Sequence, residues 1–295
     1  MIDSGLFQQR RRPRLRLVLN FLVRWPIFSI LVLGFLLLCT VIGPYIAPYD
    51  YEEANLFMVL EPPVGFGGSW NHPLGTDVIG RDVLSRLMAG GRISMMLVIV
   101  SMFTGTTIGC SLGMISGYYG GAIDEILMRL MDIWYGIPFL MLAMMLVVAL
   151  GPGIDTMLVI MALASFAGFV RVVRAEVLSL KQMDYVALAR ISGASTIRIM
   201  FKHILPGTFS TVLVVATLQT GGLILAEAFL SYIGAGIPPP YPAWGVMIAD
   251  GRNYLHSTWW VAIIPGVAIL MTVMALNFLG DWMRDRLDPR LRQIA

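Results

Sequence analysis

Residues 93–119 read ISMMLVIVSMFTGTTIGCSLGMISGYY, twenty-seven consecutive positions without a charge. A membrane-spanning helix needs about 20 such residues, so this run can cross a bilayer with turns to spare. Within it Gly105, Gly109, Gly113 and Gly117 recur every four residues. On a helix that period lays them along one face as a groove without side chains, where another backbone can approach closely. The stripe predicts a tightly packed helix pair inside a bundle; it names no chemistry. Gly109-Cys-Ser111-Leu-Gly113 also matches the G-x-S-x-G nucleophile elbow, but that motif needs a strand-to-helix turn and a histidine within reach. Here it falls in the middle of the stripe.

Reading outward, five more uncharged runs appear: Ile27–Ile46, Ile133–Ile154, Thr156–Val170, Gly207–Ala226 and Ser257–Gly280. The fourth in chain order, Thr156–Val170, is only 15 residues and spans only if it borrows neighbouring turns. The chain is 57% hydrophobic and 13% charged, against about 25% charge in a soluble domain. That composition excludes a soluble globular enzyme, a disordered tail and a nucleic-acid binder. The fold class is an all-α integral membrane protein with six transmembrane helices. Cys39 and Cys110 both lie in apolar runs, so no disulfide framework is expected.

Six spans put both termini on one side, and the positive-inside rule selects which. With the termini in the cytoplasm, seventeen of the 21 Lys and Arg residues fall inside, beginning with Arg10, Arg11, Arg12, Arg14, Arg16 and Arg24. Arg81, Arg86, Arg92 and Arg252 fall outside. The first run is too long for a signal-peptide core and reads as an uncleaved span. The chain divides into a basic N-terminus (1–24), a first span (25–48), an outer loop (49–92), a five-helix core (93–281) holding an inner loop at 183–206, and a tail (282–295).

Most chemical motifs fail on context. His72 stands five residues before Asp77, a spacing used by membrane acyltransferases with His as general base, but no companion basic block for an acyl-phosphate donor accompanies it. There is no zinc pattern, and no metal site is expected. The two lysines, Lys181 and Lys202, do not follow glycine, so the chain has no Walker A loop. Asp132, three residues after Arg129, is placed for an i,i+3 pair at the inner end of a span. Glu227 follows twenty uncharged residues and falls near the outer interface. Both are candidates for lining or gating a pathway, since charges near the membrane interior are functional hypotheses by default.

The inner loop is the most informative stretch. Asp184 reads as a helix N-cap, Tyr185–Ser192 as two helical turns, and Gly193 as a left-handed C-cap. Ser195 caps a second helix, Thr196–Leu205, and Pro206 opens the fifth span. The result is a helix–glycine–helix elbow, basic outside through Arg190, Arg198 and Lys202. Such an amphipathic helix fits either a groove on a partner or an anionic membrane surface.

At these residues a family becomes visible. Asp184, Tyr185, Ala187, Leu188, Ala189, Arg190, Gly193, Ala194, Leu205 and Pro206 resemble the E-A-A…G…I-x-L-P loop of ABC importer permeases. The Glu-Ala-Ala positions fall on Ala187-Leu188-Ala189, and His203 stands where Ile is usual. The block His72, Leu74, Gly75, Thr76, Asp77, Gly80, Arg81, Asp82, Ser85 and Arg86 is similar to the outer-loop signature of the dipeptide/oligopeptide permeases, second-subunit type. Glu227 to Gly234, Pro238 to Gly245, and Gly280 to Arg290 resemble their fifth-span exit and C-terminus.

The resemblance implies a type I ABC importer permease of the bacterial or archaeal cytoplasmic membrane, non-catalytic and without a bound cofactor. Its partners would be a second, similar permease, two cytoplasmic ATPases that use ATP and Mg, and an external solute-binding protein. Loop 183–206 would couple to an ATPase. A helix at Arg81–Leu87 would lie at the outer membrane surface beneath the binding protein. Cargo would be di- or oligopeptides, with nickel, glutathione and oligosaccharides as alternatives within the same family.

Overall fold

The computed structural model describes residues 26–287, and among them the fold is helical. Helix α1 is Ile27–Ile46, α2 is Val83–Tyr119, α3 is Gly121–Gly136 and α4 is Phe139–Leu150. Helix α5 is Ile154–Leu180 and α6 is Asp184–Ile191. Helix α7 (Thr196–Ile199) runs through a π-turn, Met200–Ile204, into α8 (Leu205–Tyr232). Helix α9 is Trp244–Gly251 and α10 is Trp260–Leu287. The basic residues up to and including Arg24 and the C-terminal block from Asp288 lie outside the described residues.

Among the described residues, α2, α5, Thr196–Tyr232 and α10 are long and apolar enough to cross a membrane. Helices α3 and α4 together make a fifth such unit, bent by 86° between them. Helix α1 occupies all of its expected run, Ile27–Ile46, and is apolar over Ile27–Gly43. By length and composition, then, four or five spans are present among the described residues, and α1 stands beside them as a further apolar helix.

Three expected boundaries move, each for a physical reason. The helix expected as a separate interfacial piece at Arg81–Leu87 is the first turn and a half of α2. Val83, Ser85 and Arg86 are buried there, and Arg92, where the uncharged run was cut, points out of the helix pair. At 37 residues α2 is about 55 Å long, well beyond a hydrocarbon core of about 30 Å. The short fourth run lengthens to α5 because Arg171 and Arg174 find carboxylates on α3 instead of ending the helix. The third run is not one rod: α3 begins at Gly121 and breaks at Ile137-Pro138, where the proline has no N–H to continue the ladder.

The glycine stripe does what its period predicts. Gly105, Gly109, Gly113 and Gly117 are all buried against α5. A Cβ on Gly105 would strike Ser165; on Gly109 it would lie 2.5 Å from Phe169 Cβ. On Gly113 it would lie 2.7 Å from the Val170 carbonyl, and on Gly117 2.8 Å from Val177 Cβ. Around this pair sit Leu97, Val98, Met157, Ile160, Met161 and Phe169, all fully buried. Trp244 crosses over Gly90-Gly91 from α9, donating its indole N–H to the Leu87 carbonyl at 2.9 Å.

Replacing Gly109 by Leu should force the two backbones apart and cost at least about 1–3 kcal/mol, the usual range for overpacking. Gly34 on α1, with open space where its Cβ would go, should accept Leu. Membrane accumulation and thermal unfolding in detergent check this; Gly109→Leu matching Gly34→Leu would contradict it.

Candidate functional site

The elbow forms as expected, with one change at its start. Met183, in an extended conformation, is the N-cap of α6, so Asp184 is the first helical residue and favours the helix through its charge rather than as a cap. Gly193 has φ +79°, the left-handed geometry predicted. Its N–H donates to the Arg190 carbonyl at 3.1 Å, and the Ala194 N–H to the Ala189 carbonyl at 3.1 Å. This pair of bonds is the Schellman motif, and half-buried Ala189 and Ala194 supply its apolar contact. Ser195 Oγ accepts the Arg198 N–H at 3.4 Å and caps the next helix.

That second helix does not end at Leu205 as expected. It passes through the π-turn, where Leu205 N–H reaches the Met200 carbonyl, and Pro206 is absorbed in the first turn of α8. Val186, Ile199 and Ile204 face inward onto Val173 and Val177 of α5. Tyr185 donates its hydroxyl to the His203 carbonyl at 3.5 Å. The outward side carries Ala187, Leu188, Arg190 and Ile191. Leu188 and Ile191 are 63% and 83% exposed, and Ile197 and Phe201 beyond the turn are exposed too. The elbow thus exposes apolar side chains in a stretch that also carries Arg190, Arg198 and Lys202.

The outer block folds as a clamp. Asp82 caps α2, its carboxylate accepting the Ser85 N–H at 2.8 Å and the Ser85 hydroxyl at 2.7 Å. His72 is buried with Nδ1 3.0 Å from the other Asp82 oxygen, and Tyr49 stacks on its ring. The five-residue pairing of His72 with Asp77 therefore does not exist, and the acyltransferase arrangement falls with it. Asp77 instead accepts the backbone N–H groups of Ile79 and Arg81 at 3.0 and 2.9 Å, and pairs with Arg81 at 2.7 Å and with Arg86. Both arginines reach on to Asp250 of α9 at 3.2–3.3 Å.

Gly75 and Gly80 turn the chain at φ +79° and +81°. Thr76 accepts the Glu61 N–H at 2.8 Å on its hydroxyl, and its carbonyl accepts the Trp260 indole N–H at 3.1 Å. Leu74 packs half-buried on the core. Burial alone would raise the Asp77 pKa, but Arg86, Arg81 and the two backbone N–H groups outweigh it and hold the carboxyl below its usual value. Asp250, Trp260 and Arg86's role in joining loop to helix were not legible, because they depend on chain segments far apart in sequence.

The two pathway candidates differ in setting: Glu227 is buried and Asp132 is exposed. Glu227 is fully buried, accepting Ser231 Oγ at 2.9 Å and Ser94 Oγ at 3.2 Å, and Ser94 accepts the Trp244 N–H. It binds α2, α8 and α9 to one another. Asp132 does not pair with Arg129, which reaches Glu125 instead; Asp132 accepts from Arg171 at 2.8 Å. Near the C-terminal end of α2, Asp124 on α3 accepts Arg174 at 2.6 Å, and Lys181 donates to the Gly117 carbonyl at 2.8 Å.

Residues 109–293 match the family described as the inner membrane component of binding-protein-dependent transport systems. Residues 24–63 match the N-terminal transmembrane domain of oligopeptide transport permease C. The chain belongs to this family of transport permeases. A di/tripeptide transport permease of Pseudomonas aeruginosa is 39% identical, the alignment covering 90% of this chain and 88% of that protein. A dipeptide transport permease of Bacillus subtilis is 38% identical over 90% and 82%. A glutathione transport permease of Pectobacterium atrosepticum is 41% identical over 84% and 81%.

The inward-facing methionine ABC transporter MetNI shares the fold, with a TM-score of 0.56 at 21% identity over 71% of this chain and 96% of that one. The chain is accordingly a transmembrane subunit and not an enzyme; ATP hydrolysis in such systems belongs to separate subunits.

If the clamp carries the outer loop, Asp77→Asn should leave Arg86 half-paired and cost on the order of 3 kcal/mol locally. Asp250→Asn, at the more exposed end of the network, should cost less. A depressed carboxyl stabilises the fold at every pH above its unfolded value. Protection of the loop from external protease should thus be flat through neutral pH and decline only below about pH 4. Equal protection of Asp77→Asn and parent would contradict the assignment.

Proposed function

We propose that this chain is the second permease subunit of an ATP-driven importer of di- and oligopeptides. The observation that carries the reading is the elbow: Leu188, Ile191, Ile197 and Phe201, exposed on either side of a Schellman turn at Gly193. The relatives named above carry peptides or glutathione, itself a tripeptide, which supports peptides over nickel or oligosaccharides.

In this reading α1 and the bent α3–α4 unit complete six spans, and both termini are cytoplasmic. A second permease faces the exposed side of α3 and α4, two ATPases bind from the cytoplasm, and a binding protein delivers cargo above the outer clamp. Residues 183–206 rest in a groove on one ATPase. The chain binds no cofactor of its own, and ATP and Mg are held by the ATPases. Glu227 and Asp132 act as interhelix ties rather than as groups on the path.

Gly193→Val tests the coupling. A β-branched residue forced to positive φ costs on the order of 1–2 kcal/mol, so the turn should open and re-aim α6. The bundle should assemble, because nothing lies within 4 Å of the Gly193 Cβ position. ATP hydrolysis by the reconstituted complex should then lose its stimulation by loaded binding protein. Full stimulation in Gly193→Val would refute the docking role; weakened liposome binding with intact stimulation would identify a membrane-surface helix instead.

A further inference from the structure

Where α3 and α4 bend apart they leave a cavity of about 470 Å³ inside the membrane part of the molecule. That volume lies in the range of sites for small organic ligands, roughly 300–1,000 Å³. Trp134, Tyr135 and Phe139 form the wall at the bend, and α5 and α8 form the wall opposite. No carboxylate, imidazole, thiol, ammonium or guanidinium side chain is among the lining residues. One ion pair backs the wall at the bend. Arg171 lies 4.1 Å from the Tyr135 ring centroid while donating to Asp132 at 2.8 Å, which holds Tyr135 in place from behind.

Gln219 is the one amide side chain in the lining. It reaches across to α5, where only the absence of a side chain on Gly168 leaves room: a Cβ there would lie 2.5 Å from Gln219 Nε2. The hydroxyl on that wall, Ser165, is already bound to the Ala162 carbonyl at 3.1 Å. The Gln219 carboxamide has no hydrogen-bond partner among the described residues. Gly222, one turn further along α8, opens directly onto empty space.

We propose that this cavity is a station for the backbone of the peptide in transit, and that Gln219 is the residue that recognises it. The inference rests on the peptide-importer reading above. A carboxamide presents one acceptor and one donor edge in a single plane, the complement of the C=O and N–H of a peptide bond. The flat rings of Trp134 and Tyr135 offer faces for a planar amide. A neutral wall leaves cargo side chains and termini unread, which suits a transporter of varied peptides. A nickel ion would need imidazole, thiolate or carboxylate ligands, and the cavity supplies none.

The test uses the reconstituted complex with saturating loaded binding protein, so that the affinity of that protein drops out. Import per ATP hydrolysed is measured for a tripeptide and for the same tripeptide N-methylated on its backbone. Losing one backbone hydrogen bond should lower import about tenfold. Parent should therefore prefer the unmethylated cargo, Gln219→Leu should import both at the lower rate, and Gly222→Leu should block both. All variants should retain stimulated ATP hydrolysis, which shows that they fold. Variants importing and discriminating like the parent would overturn this inference alone. A parent that imports no peptide would overturn the functional reading and this inference with it.

Discussion

Everything in the structure hangs on the contact between α2 and α5. Four glycines let these helices approach until the only neighbours left are the backbone and the first side-chain atoms of the partner. In lipid such packing replaces the hydrophobic drive that water would supply. The pair is pinned near both ends. At one end, Asp77, Arg86 and Asp250 tie the start of α2 to α9. At the other end, the Lys181 bond to the Gly117 carbonyl ties α2 to α5, and Asp124 takes Ser116 of α2 and Arg174 of α5. The result is a strut longer than the bilayer is thick.

The strut explains where mobile function can reside. The elbow follows the C-terminal end of α5 and packs Val186, Ile199 and Ile204 onto Val173 and Val177. The cavity sits on another stretch of the same helix, at Leu163–Gly168. A push on α6 is thus delivered to α5 and α8, and these two helices form one wall of the cavity. The opposite wall, at the α3–α4 bend, is held by the partly exposed Arg171–Asp132 pair, and exposed pairs of this kind are worth only about 0–1 kcal/mol. A stiff wall facing a weakly latched one is a mechanical arrangement suited to alternating access.

Much of this was legible in the sequence, for reasons that can be stated. The period of four in Gly105–Gly117 and the glycine at the elbow report local geometry, and both read correctly. Counting uncharged runs was less reliable, because a charge ends a run without ending a helix. Arg92 leaves α2 unbroken by facing outward, and Arg171 and Arg174 leave α5 unbroken by pairing with α3. Conversely, Pro138 breaks an apolar run that contains no charge. The outer block was recognised but its pairing was not. Sequence spacing set His72 against Asp77, whereas the fold gives His72 to Asp82 and Asp77 to two arginines. Gln219 carries no local signal at all; its place emerges only when Gly168 of another helix is brought beneath it.

The central claim is that this chain moves peptides only as one part of an ATP-driven assembly. It is tested most directly by following a labelled tripeptide into proteoliposomes that hold this chain with its partner permease and ATPases, with binding protein supplied outside. The account predicts accumulation that requires ATP on the ATPase side and stops when either the binding protein or the ATPases are left out. Accumulation by this chain without ATPases, driven by an ion gradient, would contradict it.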